Sequence, residues 1–283
     1  MKAKSYAKIN LSLDILNKRE DNYHNIETIM QKINIYDEIE FIKKDSGFEL
    51  ITDEQFNVEL EDNLIYKAWK LLCDYTGRDL GIKIILNKKL PIAAGIAGGT
   101  GNGAVTLKAL NKLYDLSLSE KLLMDISLKI GADFPYMISG GTKLAQGIGE
   151  ILTPLDDFNG IDVILVNPGY GISTKEVYEN LRITDKKMDT EKIIEAMKKR
   201  SFELLQDLLY NKMEESVFIK HPDIKYIKDK IRSFGGISLM SGSGASVFGL
   251  FSNKESIEKC YEYFAPKYSM TYKTHTIGGY DEF

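Results

Sequence analysis

Five glycines fall between Gly95 and Gly103, at positions 95, 98, 99, 101 and 103, and a helical apolar stripe of Ala104, Leu107, Leu110 and Tyr114 starts directly behind them. Glycine lets a backbone reach positive φ and approach another group closely. A helix start offers unpaired N–H groups and the positive end of the helix dipole, so glycines that run into a helix predict an anion site. Thr100 stands where it can cap that helix and present its hydroxyl to a phosphate or to the shell of a metal. A P-loop would need Gly-x4-Gly-Lys-Ser/Thr, and no lysine stands in that place. Gly99-Thr-Gly101-Asn-Gly-Ala104 matches a dinucleotide fingerprint in form, but Lys88 to Ala94 separates it from the strand it should follow. A loop without a ligand is the third reading, and the helix behind the glycines favours the phosphate site over it.

The first strand carries a second constraint. Over residues 6–15, Ala7, Ile9, Leu11, Leu13 and Ile15 alternate with Lys8, Asn10, Ser12 and Asp14. Period-two alternation predicts one core face and one polar row. Lys8 and Asn10 share that row and can look into one cleft; a solvated lysine on an edge strand is the alternative for Lys8. Further strands are predicted at 26–35, 37–43, 47–51 and 82–86, with a helix over 62–72 and another over 119–130 capped by Gly131. From about residue 155 the pattern restarts: strands at 162–166, 237–240, 246–251 and 269–276, and helices at 174–181, 189–199, 202–210, 222–233 and 254–264. Strands separated by helices in both halves, in a chain of 283 residues, predict an α+β protein of two lobes, 1–155 and 156–283.

A formal net charge of −4 argues against a nucleic-acid binder. No apolar run is long enough for a membrane span and the N-terminus lacks a signal-peptide pattern, so a cytoplasmic protein is expected. Cys73 and Cys260 read as buried free thiols. The three histidines, His24, His221 and His275, form no metal-ligand cluster, and no protein metal ligand is assigned. No interface stripe stands out, so a monomer or weak homodimer is expected.

Three segments together resemble the motifs of the GHMP kinases: Ala7-Lys8-Ile-Asn10-Leu, Pro91 to Ala104, and Ser241-Gly-Ser-Gly-Ala-Ser-Val-Phe. Tyr23-His24, Gly131-Ala-Asp133-Phe-Pro135, Gly140 to Glu150 and Ser173 to Tyr178 further resemble the branch of that family acting on 4-diphosphocytidyl-2-C-methyl-D-erythritol in the non-mevalonate isoprenoid pathway. The resemblance implies the family's two-lobed fold, a mixed-sheet lobe with helices followed by a ferredoxin-like sandwich. It implies transfer of the γ-phosphoryl group of ATP, with Mg²⁺, to the 2-hydroxyl of that small-molecule acceptor, with neither nucleic acid nor membrane as partner.

Residue by residue, the resemblance assigns Asp133 as base and Lys8 as its neighbouring cation. On sequence alone Asp133 is equally a turn or cap residue. ATP is expected at Asn63, Leu64, Lys88, Pro91, Gly95, Ala97, Gly98, Gly99, Thr100, Gly101 and Asn102. The acceptor is expected at Asn10, Tyr23, His24, Thr174, Tyr178, Ser241, Gly242, Ser243 and Gly244, with Tyr23 and Tyr178 as stacking faces and His24 reading the cytosine edge. Lys88 can equally be a solvated strand end, and the 241–245 segment a plain hairpin turn. Two positions depart from the family pattern. Gly101 replaces its second serine, which puts a phosphate or Mg²⁺-shell contact in question, and Asn22 replaces the glycine before Tyr-His.

Overall fold

The computed structural model describes residues 1–52, 59–181, 186–278 and 282–283. The alternating segment forms β1 (Lys2–Lys18), antiparallel to β2 (His24–Lys43). β2 is one strand, where the sequence pattern suggests a break near Tyr36. The strand runs on through Tyr36, and the neighbouring Asp37 side chain is fully buried and paired with Lys88. β4 (Ile82–Asn87) and β5 (Thr142–Gly147) share the other edge of β2, along residues 38–43 and 26–31. β3 (Phe48–Thr52) lies parallel to β4 and β6 (Ile151–Pro154) antiparallel to β5.

The crossover between β3 and β4 contains α1 (Leu64–Thr76). Asn63 starts this helix by accepting the Ile65 N–H at 2.9 Å, and Gly77 ends it in the left-handed region at φ +64°. Its apolar face of Ile65, Ala68 and Leu72 joins α2 (Gly98–Leu113), α3 (Glu120–Ser127) and α4 (Phe134–Ser139) in a core over Phe41, Ile84 and Leu86. α3 is shorter than its periodicity suggests. The chain tightens after it, Ile130 N–H bonding to Ser127 C=O at 3.0 Å, and Gly131 does not adopt the left-handed cap conformation.

The second half contains β7 (Asp162–Asn167), α5 (Thr174–Glu179), α6 (Thr190–Lys198), α7 (Phe202–Leu208), α8 (Glu214–Lys220), α9 (Pro222–Ser233), β8 (Ile237–Met240), β9 (Val247–Phe251), α10 (Lys254–Phe264) and β10 (Met270–His275). Its strands run in the order β10-β7-β9-β8, antiparallel throughout. By appearance that is fourth, first, third, second, the ferredoxin-like arrangement expected. α4, β5, β6 and α8 carry no sequence expectation.

The polar row of β1 is not a solvated edge. Lys8, Asn10, Ser12 and Asp14 are all buried. Buried polar groups must be satisfied, and here the partners come from distant segments. Ser12 Oγ donates to Tyr210 C=O at 2.8 Å, and Asp14 pairs with Lys212 at 2.7 Å. The backbone edge is closed as well: Lys8 N–H donates to Ile96 C=O at 3.0 Å and Leu13 N–H to Tyr210 C=O at 2.8 Å. The apolar face of β1 packs Ala7, Ile9 and Leu11 with Ile96, Val163, Leu165, Leu239 and Phe248, so both halves of the chain share one core. Cys260 is a buried free thiol as expected, while Cys73 is only half-buried.

Candidate functional site

The two halves enclose a cleft of about 1040 Å³. Lys8 reaches its floor from β1. Its ammonium donates to Asn10 Oδ1 at 2.7 Å and stands 3.5 Å from Asp133 Oδ2. Asn10 is itself fixed, donating to Thr28 Oγ1 at 2.8 Å, which donates to Ser12 C=O at 2.6 Å. The pair is asymmetric: the Lys8 side chain is 5% exposed and that of Asp133 36%. Asp133 occupies the position before α4, yet its carboxylate makes no capping hydrogen bond among the described residues. A capping role therefore does not consume it, and it faces the cleft with a cation beside it.

The glycine segment forms the adjoining wall, Ile96 C=O accepting the Lys8 N–H. α2 begins at Gly98, so Thr100 lies inside the first turn and the cap position belongs to Ala97. This corrects the capping role expected of Thr100; its side chain instead lines the cleft. Positive φ occurs at Ala93, Gly95 and Ala97, with φ of +51°, +73° and +56°. Gly95 is obligatory for a further reason: a Cβ there would lie 2.1 Å from Ser241 C=O. The helical glycines serve close packing instead. A Cβ on Gly103 would meet the Phe134 ring at 2.7 Å, and one on Gly101 would meet Met137 Cε and Ser5 Oγ at 2.8 Å. Gly101 thus points into the core between α2, α4 and β1. The hydroxyl it lacks, relative to the family pattern, would point away from the cleft.

Pro91, Gly95, Ala97, Gly98, Gly99, Thr100 and Asn102 line the cleft, as do Asn63 and Leu64 at the start of α1. Lys88 lines it too, but its ammonium is engaged: it binds Asp37 at 2.8 Å and Leu90 C=O at 2.5 Å. Asp37 also accepts Lys89 N–H at 2.7 Å, Leu90 N–H at 2.8 Å and Asn102 Nδ2 at 3.0 Å. One buried carboxylate therefore ties β4, the approach to the glycine segment and the first turns of α2 together. Lys88 is no solvated strand end, and Asp37 is the residue of the site that sequence reading missed. Nothing in the sequence sets it apart, since Glu38 and Glu40 follow it in the same strand.

Segment 241–246 joins β8 to β9 as a hairpin, closed by Ser241 N–H to Ser246 C=O at 2.9 Å. Its tip clamps the glycine segment. Ser241 Oγ donates to Gly95 C=O at 2.8 Å and accepts Asn10 N–H at 3.3 Å. Ser246 N–H donates to Ala94 C=O at 3.2 Å and Ile172 N–H to Ala93 C=O at 3.1 Å. Of the expected acceptor residues here, Gly242 and Ser243 reach the cleft wall, while Ser241 and Gly244 are buried behind it. Ser243 Oγ lies 2.9 Å from Thr174 Oγ1, which also lines the cleft.

At the far end of the cleft the His24 and Tyr178 rings stack, with centroids 4.9 Å apart and planes 20° from parallel. The expected edge-reader and one of the expected faces therefore cover each other's flat surfaces, and Tyr23 stands 58% exposed at the mouth. Burial, with the charge of Lys18, holds His24 below the usual histidine range. Burial pushes the Tyr178 hydroxyl up to about 12, with a smaller push from Asp133. A neutral imidazole presents one donor and one acceptor nitrogen. Asn22 adopts φ +68°, so it supplies the left-handed turn that the family's glycine would. His221 and His275 lie outside the cleft, beside Tyr170 and Asn34.

Comparison with known proteins gives one consistent family. Residues 63–142 match the model for the GHMP kinases N terminal domain, and residues 193–269 that for the GHMP kinases C terminal domain. A 4-diphosphocytidyl-2-C-methyl-D-erythritol kinase of Clostridium novyi is 43% identical over 277 residues, 97% of this chain and 99% of its own. One of Alkaliphilus metalliredigens is 39% identical over 282 residues, covering 98% of this chain and 96% of its own. Among solved structures, a 4-(cytidine 5'-diphospho)-2C-methyl-D-erythritol kinase superposes with a TM-score of 0.85 at 28% identity, over 99% of this chain and all of its own. A homoserine kinase of Cytophaga hutchinsonii shares the fold, with a TM-score of 0.75 at 16% identity over 98% of this chain and 95% of its own. None of the described helices is long and apolar enough to cross a membrane.

Proposed function

Because this chain belongs to the GHMP kinases, we propose that it transfers the γ-phosphoryl group of ATP to the 2-hydroxyl of 4-diphosphocytidyl-2-C-methyl-D-erythritol, a step of the non-mevalonate isoprenoid pathway. The observation that carries the chemistry is the Lys8–Asp133 pair at 3.5 Å, in the cleft that the start of α2 also lines. Phosphoryl transfer asks a protein mainly for positioning and charge stabilisation. Asp133 takes the proton of the attacking hydroxyl. Lys8 stabilises the oxygen as its negative charge develops, and Asn10 holds Lys8 in place. The N–H groups of the first turn of α2 receive the ATP phosphates. ADP leaves and the acceptor carries a new phosphomonoester.

Mg²⁺ fits this donor set. It is commonly held by one or two protein oxygens, the substrate's phosphates and water. The Thr100 hydroxyl is the side-chain oxygen in the first turn of α2 that lines the cleft. When bound, the ion would neutralise charge between the β- and γ-phosphates. Asn63, Leu64 and Pro91 form the adenine side, and His24, Tyr178 and Tyr23 the cytosine side. Asp37 holds Lys88 and Asn102 so that the phosphate helix is fixed before ATP arrives. We place the division of the lobes at 155/156, between β6 and β7.

ADP release by the purified protein, measured with a panel of alcohols, tests this reading. Turnover with the cytidyl acceptor and none with homoserine or mevalonate is the expected pattern. Turnover with either of those, and none with the cytidyl acceptor, would overturn it.

A further inference from the structure

We infer that Lys18 is the residue that pairs with the diphosphate of the acceptor, an inference that rests on the reading of the cleft proposed above. The lysines on the cleft wall are Lys8, Lys18, Lys88 and Lys175. Three of them already face carboxylates: Lys8 faces Asp133 at 3.5 Å, Lys88 faces Asp37 at 2.8 Å and Lys175 faces Glu179 at 4.0 Å. Lys18 has no carboxylate within ion-pairing distance among the described residues. A cation at the wall of a cleft with no counter-charge of its own favours an anion brought by the ligand.

The position of Lys18 selects which anion. It ends β1 directly opposite His24 in the strand register, so it stands at the stacked-ring end of the cleft and not at the start of α2. Its field reaches the His24 imidazole, where it adds to burial in disfavouring a second proton. The phosphates of ATP belong at the helix start. The anion available at the His24 end is the diphosphate joined to the base recognised there. A flexible ammonium suits such a group, since it acts as a point charge with three rotatable donors.

Calorimetry with cytidine and cytidine 5'-diphosphate, on the full chain and its Lys18→Gln variant, tests the inference. The wild-type protein is expected to bind the diphosphate about tenfold more tightly than cytidine at low salt, and less selectively as salt rises. Lys18→Gln should bind cytidine as before and lose most of that preference, and Lys18→Arg should retain it. A merely structural lysine would not move this ratio. If Lys18→Gln keeps the preference, the diphosphate is held elsewhere and the inference fails while the cytidine reading stands. If the variant loses affinity for both ligands equally, Lys18 acts through His24 and the inference also fails. If the wild-type protein binds neither ligand, the cytidine reading itself falls and this inference with it.

Discussion

On the proposed assignment, replacing Asp133 by Asn removes the base and keeps its shape. Transfer should fall by about 10²–10⁴-fold, the usual range for a positioned general base, while ATP affinity changes little if the phosphates bind at α2 as proposed. Stopped-time ADP assays and ATP titration separate the two, and normal turnover in the variant would remove Asp133 from this role. His24 gives a second prediction. Its pKa is lowered from 6.5, so the imidazole stays neutral over a range where a free histidine is already taking up a proton. The acceptor KM should therefore be flat from about pH 8 to about pH 6.5 and rise only below that. A KM that begins rising above pH 7 would contradict a neutral His24 as reader of the base. At this scale the sequence was readable wherever a motif fixed a residue type. Lys8, Asn10, Asp133, His24, Gly95, Gly98 and Gly99 all line the cleft. It was misleading about direction. Gly101 reads as a lost phosphate contact, but spacing along a chain does not say which way a helical side chain points, and this one points to Ser5 and Met137.

Among the elements, α2 and its support matter most. Asp37 holds this region through four hydrogen bonds, from the Lys88 ammonium, the Lys89 and Leu90 N–H groups and the Asn102 amide. Asp37→Ala would leave a buried lysine without its partner, a loss of about 3–5 kcal/mol. Urea denaturation should show this, together with weaker ATP binding because the first turns of α2 lose their anchor. A variant of unchanged stability would mean that water replaces the carboxylate at no cost. β1 and the longer helices were legible because their periods run over many residues. Asp37 itself was not legible: polar residues are placed at the surface by pattern alone, and the pattern cannot see a partner fifty-one residues away. Ser12 and Asp14 of the polar row of β1 likewise find their partners near residues 210–212, which no local pattern shows.

At the scale of the molecule, the two halves are joined by a common core, and a buried lysine lies beside β1. Lys32 lies across from Lys8 in the strand register and is fully buried. Burial, reinforced by the Lys108 and Lys8 cations and opposed by Glu282, brings it down from 10.5 to about 7. The sign follows from proton binding. Between about pH 7 and about pH 10.5 the unfolded chain holds this proton and the folded chain does not, so this group makes the fold more stable as pH rises through that window. Global unfolding followed against pH should show a slope that Lys32→Met lacks, up to roughly 1 kcal/mol per pH unit. Parallel profiles for the two proteins would show that Lys32 keeps its proton when folded.

The whole arrangement has one chemical consequence, a phosphate on a particular oxygen. Phosphorus NMR of the product formed from ATP and 4-diphosphocytidyl-2-C-methyl-D-erythritol reads it directly. One new phosphomonoester on the 2-hydroxyl, with the diphosphate bridge intact and one ADP formed per product, is the predicted result. Inorganic phosphate in place of the monoester, or a monoester on another oxygen, would contradict the placement of Lys8 and Asp133 at the reacting hydroxyl.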